Sequence, residues 1–362
     1  MSAVKVGIIG VGNCASGIIQ GVHLRRSGNK EAEAYGNARI GPYGIEDIEF
    51  VSAFDVGANK VGKPLSRAIY EPPNVVEWVD SVSGADVTVM ESPILDGVGI
   101  FVDNKIKPVK GSASAAKLRD SILEQLRRTR TEVLVNYLPV GSQKATEFWV
   151  ETALEAGVGM VNCMPVFIAS DKGWAKRFES KNVPIVGDDV KGVVGATIVH
   201  RTLAQLCNDR GVNITKTYQI NVGGNTDFLN MKEVARLESK KISKTEAVQD
   251  VMAERLPDDK IYVGPSDFIP YLGNTKLAFI RIEGKMFPGI PFNMELRLDV
   301  DDKANSAGVV VDAIRYCKIA VDRKVGGPLL APSAWLMKHP PKPMADETAK
   351  REAALWVASK GR

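Results

Sequence analysis

With 362 residues, 44% of them hydrophobic and 25% charged, the chain has the balance of an ordinary globular protein long enough for two domains with full cores, which excludes a disordered or low-complexity chain. A net charge of +4 with scattered basic residues indicates neither a nucleic-acid face nor a membrane-surface helix, and no uncharged apolar run approaches the ~18 residues of a membrane span. Four separated cysteines without a CxxC pair point to free thiols in the cytoplasm, and three isolated histidines leave any catalysis to other groups.

In chain order, the apolar strand Lys5 to Ile9 runs into Gly10-Val11-Gly12-Asn13-Cys14-Ala15 and a helix patterned through Ile18, Ile19 and Val22. This is a GxGxxA turn. Gly10 makes the tight bend, Gly12 lets backbone approach a pyrophosphate, and Ala15 lets the helix pack on the strand, with the phosphates on the helix N-terminus. A second strand, Ile48 to Phe54, ends in Asp55, placed to accept the ribose hydroxyls of NAD. Because Asp55 follows the glycines by about 40 residues rather than the ~20 of the simple fingerprint, Arg25 to Asp47 reads as an insertion, an ordered loop expected as a flap near the cofactor. Strand-like runs at Ala85 to Met90, Glu132 to Asn136, Val158 to Asn162 and Pro184 to Gly187 alternate with helical stretches around Ala113 to Arg130, Lys144 to Ala156 and Lys172 to Ser180. The expected fold is therefore α/β, a Rossmann-type doubly wound parallel sheet whose ligands sit beyond the carboxyl ends of the strands.

After a helix from Val193 to Asn208 the pattern turns to alternating runs, Thr215 to Val222, Lys276 to Glu283 and Asn293 to Val300, with two helices between the first and second. Alternation predicts antiparallel strands with one buried face. Residues 198–302 thus read as an inserted α+β open-sheet domain, and residues 1–197, completed by 303–362, as the dinucleotide domain. The densest run of cations, Leu237 to Lys244, falls inside the insertion; its plainest reading is a solvated helix start with Ser243 as N-cap for a helix over Lys244 to Arg255.

Taken together, Gly10 to Ser16, Asn136 to Ser142, Asn162 to Pro165, Gly187-Asp188-Asp189-Val190-Lys191, Gly223 to Asn230, Ser239 to Lys244 and Asn305 to Gly308 resemble myo-inositol-1-phosphate synthase, the short prokaryotic form, essentially end to end. The resemblance implies an NAD-dependent, redox-neutral cyclisation of glucose 6-phosphate to inositol 1-phosphate, also numbered 3-phosphate, by a homotetramer. Its steps are oxidation at C5, enolisation at C6, aldol closure onto C1 and reduction. By position it implies Lys240, Lys244, Lys276 and Lys338 as catalytic lysines with Asp188 or Asp189 as their carboxylate partner. It places Asn136, Asp189, Asn225, Asp227 and Asp302 at the cofactor beside Gly10, Gly12, Asn13, Cys14 and Asp55. Lys191, Gly192 and Asn230 are implied at the substrate. The chemistry agrees, because each step after the first develops negative charge on an oxygen, and clustered lysines both stabilise such charge and depress one another's pKa.

One departure bears on the phosphate. Members of the family usually place Ser, and often Gln, after the Lys of the Gly-Asp-Asp-x-Lys motif, where this chain has Gly192 and Val193; backbone N–H groups at Gly192 and Gly195 are the remaining anion donors. A mono- or divalent cation stays open as a second cofactor, since Asp188, Asp189 and Asp302 suit either an ion or hydrogen bonds. The competing readings are a plain NAD-dependent dehydrogenase of a phosphorylated sugar or amino-acid semialdehyde, which would release NADH, and a non-catalytic NAD-binding sensor.

Overall fold

A computed structural model describes residues 3–33, 37–233, 238–264 and 267–359. The first half alternates strand and helix: β1 (Val4–Ile9), α1 (Asn13–Arg26), the short α2 (Lys30–Glu33), a small hairpin of β2 (Arg39–Ile40) and β3 (Tyr43–Gly44), then β4 (Ile48–Asp55), α3 (Leu65–Ala68) and β5 (Val89–Glu91). It continues through α4 (Ala115–Thr129), β6 (Val133–Asn136), α5 (Gln143–Ala156), β7 (Gly159–Asn162), α6 (Lys172–Ser180) and β8 (Pro184–Val186). The second half contains α7 (Ala196–Asp209), β9 (Asn213–Gly223), α8 (Thr226–Asn230), α9 (Glu238–Gln249), β10 (Ile261–Val263), β11 (Thr275–Met286) and β12 (Ile290–Asp301). It closes with α10 (Asp302–Arg323), β13 (Gly327–Pro328), α11 (Leu330–Leu336) and α12 (Asp346–Ala358).

The first sheet has the order β13-β8-β7-β6-β1-β4-β5, and its strand pairs are parallel. Strands buried on both faces explain why β6 and β7 are wholly apolar except at their last residue, an Asn in each case. One face is covered by α1 and α10 through Ile18, Ile19, Val310 and Ile314, the other by α4 and α5 through Ile122, Leu126, Trp149 and Val150. The expected strand from Ala85 shrinks to Val89–Glu91, because the carbonyls of Ala85 and Val87 accept from Ser66 and Leu65 at the start of α3 instead of a strand.

The insertion after α1 does not cover a ligand cavity. Arg315 of α10 donates to the carbonyls of Ala38 (3.1 Å) and Asn37 (2.9 Å), Asn37 donates to Asp312 at 2.6 Å, and the Tyr43 hydroxyl bonds Asp322. The expected flap is therefore clamped to the outer helix, since a buried guanidinium there demands carbonyl partners; residues 34–36 of it lie outside the description.

The second sheet has the order β10-β9-β11-β12. Strands β9, β11 and β12 are antiparallel as the alternation predicts, while β10, too short to show a period, joins β9 in parallel. Ala204 and Cys207 of α7, Val248 of α9 and Val251 in the turn after it pack on one face against Ile261, Val263, Ile280 and Ile282. The other face leaves Tyr218, Ile220, Tyr262 and Phe279 exposed together. The helix expected over Lys244 to Arg255 is found as Glu238–Gln249, with Ser243 in its interior and not at its cap.

Candidate active site

Two adjoining cavities lie at the carboxyl ends of β1, β4 and β6. The first opens over the β1–α1 turn. Gly10 adopts φ 87°, and a Cβ there would stand 2.8 Å from the Tyr137 carbonyl, so only glycine fits. Gly12 caps α1 without a side-chain bond, and a Cβ on it would meet nothing within 4 Å. The first-turn N–H groups of α1 therefore open onto free space, the arrangement that receives a phosphate. Asp55 holds the turn, accepting from Val11 N and Gly57 N at 2.7 Å each. Asn13 ties it to the opposite wall, accepting from Val75 N (2.7 Å) and donating to Thr226 (3.2 Å). Cys14 lines both cavities, its thiol pushed up to about 11 by burial against the opposing pull of Lys303.

The second cavity shares Cys14, Tyr137, Leu138 and Asp227 with the first and is lined by Lys244, Lys276, Lys303 and Lys338. These lysines come from α9, β11, α10 and the segment after α11. Lys276 donates to Asp302 Oδ1 at 3.2 Å, while Asp302 Oδ2 accepts from Lys303 at 2.9 Å and from Asn225 at 3.2 Å. Burial alone would raise the Asp302 carboxyl; Lys303 and Lys276 outweigh it and hold it well below the usual carboxylate range. Burial likewise opposes the charge on Lys303, but Asp227 and Asp302 hold its ammonium well above the ordinary lysine value. Across the cavity Lys338 donates to Asp189 Oδ1 at 3.2 Å and to the Val190 carbonyl, and the Ser243 hydroxyl donates to Asp189 Oδ2 at 2.6 Å. Asp189 reaches both partners from φ 60°, a left-handed conformation that Asp tolerates better than most residues.

A family profile described as Myo-inositol-1-phosphate synthase matches residues 195–303, the stretch that carries Lys244, Lys276, Asp302 and Lys303. The inositol-3-phosphate synthase of Mycolicibacterium smegmatis is 47% identical over 360 residues, covering 98% of each chain. That of Mycobacterium tuberculosis is 47% identical over 98% of this chain and 95% of its own. This chain belongs to the inositol-3-phosphate synthase family. The crystal structure of a myo-inositol-1-phosphate synthase-related protein from Thermotoga maritima superposes with a TM-score of 0.85 at 26% identity, covering 99% of this chain and all of that one. The chain is thus an enzyme of this synthase family with its Rossmann-type sheet.

Within that family frame several expected positions move. Asp188 is fully buried and accepts from the Asn162 amide, the backbone N–H of Ile168, Ala169 and Ser170, and the Ser170 hydroxyl. Those donors turn it away from the lysines, and Asp189 alone stands beside Lys338. Asp189 in turn touches no wall of the dinucleotide cavity. Asn136 lines neither cavity, because its amide donates to Asn162 (3.0 Å) and accepts from Leu138 N (3.1 Å) in the interior. Asn225 stands behind Asp302 as the N-cap of α8, and Asp302 itself faces the lysine cavity. Asn230 sits on the dinucleotide cavity rather than among the lysines, drawn there by the Val140 carbonyl at 3.0 Å.

Lys191, expected at the substrate, directs its ammonium to Asp346 (2.8 Å) and the Ala334 carbonyl (2.7 Å), so only its stem reaches the cavity. Gly192 does line the cavity, and a Cβ there would come 2.7 Å from Asn305 Oδ1. The Lys240 side chain lies outside the described residues.

Three residues escaped the sequence reading. Lys60 is buried and donates to the Val11 carbonyl (2.6 Å), bracing the glycine turn from behind. Ser243 reads as a helix cap, and nothing in the sequence signals its bond to Asp189. Lys303 carried one: a cation in the first turn of a helix opposes the helix dipole and wants a local carboxylate.

Proposed function

We propose that the protein cyclises glucose 6-phosphate to inositol 1-phosphate, numbered 3-phosphate from the other direction, with NAD retained through the cycle. The observation that carries this is the convergence of Lys244, Lys276 and Lys338, nearly a hundred residues apart at the extremes, on one cavity that shares a wall with a dinucleotide-shaped one. NAD fits the residues present: the open side of Gly12 admits a pyrophosphate, the uncapped first turn of α1 supplies donors, and Asp55 stands at the ribose position. When bound, NAD supplies reversible hydride transfer at one substrate carbon.

The chain's own groups do the rest. Gly10, Gly12 and Asp55 would hold the cofactor, and the wall of Cys14, Tyr137 and Asp227 that the two cavities share is where its hydride chemistry would meet a sugar held among the lysines. Lys276 and Lys338, each held by one carboxylate, present ammonium protons where the C5 enolate and the C1 alkoxide develop, in a site where such donors are already in place before reaction. Lys244, buried at the same cavity, completes the ring of donors. Loss of any one changes the charge available to the transition state more than to the sugar, so it acts on turnover.

In this reading residues 1–197, completed by 303–362, form the cofactor-binding domain, while 198–302 supply an association surface and, together with Lys338, the groups that meet substrate. The exposed face of Tyr218, Ile220, Tyr262 and Phe279 supports assembly of copies into a homotetramer. The deciding experiment incubates the purified protein with glucose 6-phosphate and NAD. Inositol phosphate without net NADH is the expected result; one NADH per turnover would make the protein a dehydrogenase.

A further inference from the structure

Resting on that reading, we propose that the ε-ammonium of Lys303 is the resident cation of this active site, so that the enzyme turns over without a metal, potassium or ammonium ion.

The carboxylates that suit an ion are already committed. Asp188 is consumed by the Ile168–Ser170 loop, Asp189 by Ser243 and Lys338, and Asp302 by Asn225, Lys276 and Lys303. Among the described residues no group of three or more His, Cys, Asp or Glu is placed to hold a metal. Where Asp227 and Asp302 converge on the substrate cavity, the chain has put a charge of its own. Lys303 is 3% exposed, donates to Asp227 Oδ2, and reaches Asp302 Oδ2 at 2.9 Å. Two of the three ammonium protons thus have carboxylate partners, and Cys14 lines the same cavity.

The charge is also fixed in place. The Lys303 backbone N–H donates to Asp301 Oδ1 at 2.9 Å in the cap of α10, and α1 packs on its stem so closely that a Cβ on Gly17 would stand 3.1 Å from the Lys303 Cβ. Backbone and Cβ are thereby held in place, and the two carboxylates hold the ammonium end. A magnesium ion needs oxygen ligands at about 2.0–2.1 Å in an octahedron, yet the oxygens here already face Nζ, and a second cation would be repelled by the first. Because Asp227 lines both cavities and Lys303 lines the second, the fixed charge sits where the cofactor's reactive end and the sugar meet.

The test uses the holoenzyme freed of metals with a chelator and assayed with tetramethylammonium, too bulky for the site, as the only added cation. The parent is expected to keep its rate of inositol phosphate formation within about twofold of that in potassium, ammonium or magnesium, and titration with Mn²⁺ followed by electron paramagnetic resonance is expected to find no tight site. Lys303→Ala should lose on the order of 10²–10³ in kcat in tetramethylammonium and recover at least about tenfold with saturating ammonium or potassium, since an ion then fills the vacated place. A parent enzyme that fails in tetramethylammonium and is restored by a metal ion would overturn the proposal. So would one tight Mn²⁺ per chain, or a Lys303→Ala variant as active as the parent without small cations. Should Lys303→Ala not fold, the ion dependence of the parent decides alone. If no inositol phosphate forms under any condition, the functional reading fails, whereas the Mn²⁺ titration needs no turnover and still judges the cation.

Discussion

Replacing Gly12 by alanine separates the cofactor's needs from those of the fold. At Gly12 the backbone is extended, φ −92° and ψ −162°, which alanine adopts without strain, and its Cβ would meet nothing within 4 Å. Alanine is the poorer N-cap by up to about 1 kcal/mol, but glycine gives up about 0.4–1 kcal/mol more chain entropy on folding, so the two effects roughly cancel. Stability should hardly move. The methyl group instead enters the space that a pyrophosphate would occupy against the first turn of α1. Loss of even one charge-assisted N–H bond to phosphate is worth about 1.5–3 kcal/mol, which weakens NAD binding roughly 10- to 150-fold. Gly10→Ala is the contrasting control. Its φ of 87° costs a side chain about 1–2 kcal/mol, and the added carbon stands 2.8 Å from the Tyr137 carbonyl, so this variant should lose stability outright. Calorimetric titration of cofactor-stripped protein with NAD and urea unfolding of the same samples make the comparison. NAD affinity within twofold of the parent in Gly12→Ala, or equal instability of the two variants, would refute the reasoning.

Lys276→Met and Lys338→Met should each lower kcat on the order of 10²–10³ while leaving NAD affinity unchanged; retention of a tenth of parental turnover by either removes that lysine from the oxyanion site. The neighbouring aspartates should divide by phenotype: Asp189→Asn loses turnover with the fold intact, whereas Asp188→Ala strands the donors of the Ile168–Ser170 loop and lowers the unfolding midpoint, as urea titration would record. His200, buried against Thr217 and Gln219, is driven by burial from the usual 6.5 down to about 4. The unfolded chain therefore binds the extra proton first, so stability is complete above about pH 6.5 and falls as pH drops toward 4, by up to about 3 kcal/mol. His200→Gln should flatten that part of the stability curve, and an unchanged slope would assign it to other groups.

What the chain disclosed in advance follows from how local each signal is. The glycine turn, the strand–helix alternation and the antiparallel runs β9, β11 and β12 were readable because period and turn chemistry are set within about ten residues. The meeting of Lys244, Lys276 and Lys338 was readable only through family resemblance, since sequence distance says nothing about convergence. Direction was the first thing lost. Asp188 and Asp189 are adjacent, yet the left-handed turn at Asp189 sends one carboxylate to a loop and the other to Lys338, and no periodicity survives such a turn. Ser243 looked like a cap because caps and helix-interior serines share a composition; only the buried Asp189 opposite decides between them. The insertion at 25–47 was misplaced for a similar reason. Its glycines and tyrosines describe an ordered loop, but its destination is written in Arg315, far along the chain.

The last lysine reaches the site by a short strap. Val190 bridges Met337, Lys338 N donates to the Asp189 carbonyl at 2.7 Å, and Asp188 and His339 exchange backbone bonds at 3.0 Å, so residues 188–191 and 336–339 close like a clasp. Every residue on the wall of the dinucleotide cavity, by contrast, lies between Gly10 and Asn230. Yet α1, whose first turn forms part of that wall, packs on α10 from the C-terminal part of the chain, so the cofactor's seat and the lysine clasp are both completed by the same late stretch. A chain cut before α10 lacks both the cover of the dinucleotide sheet and the strap that brings in Lys338, so a C-terminal truncation removes the two halves of the site together.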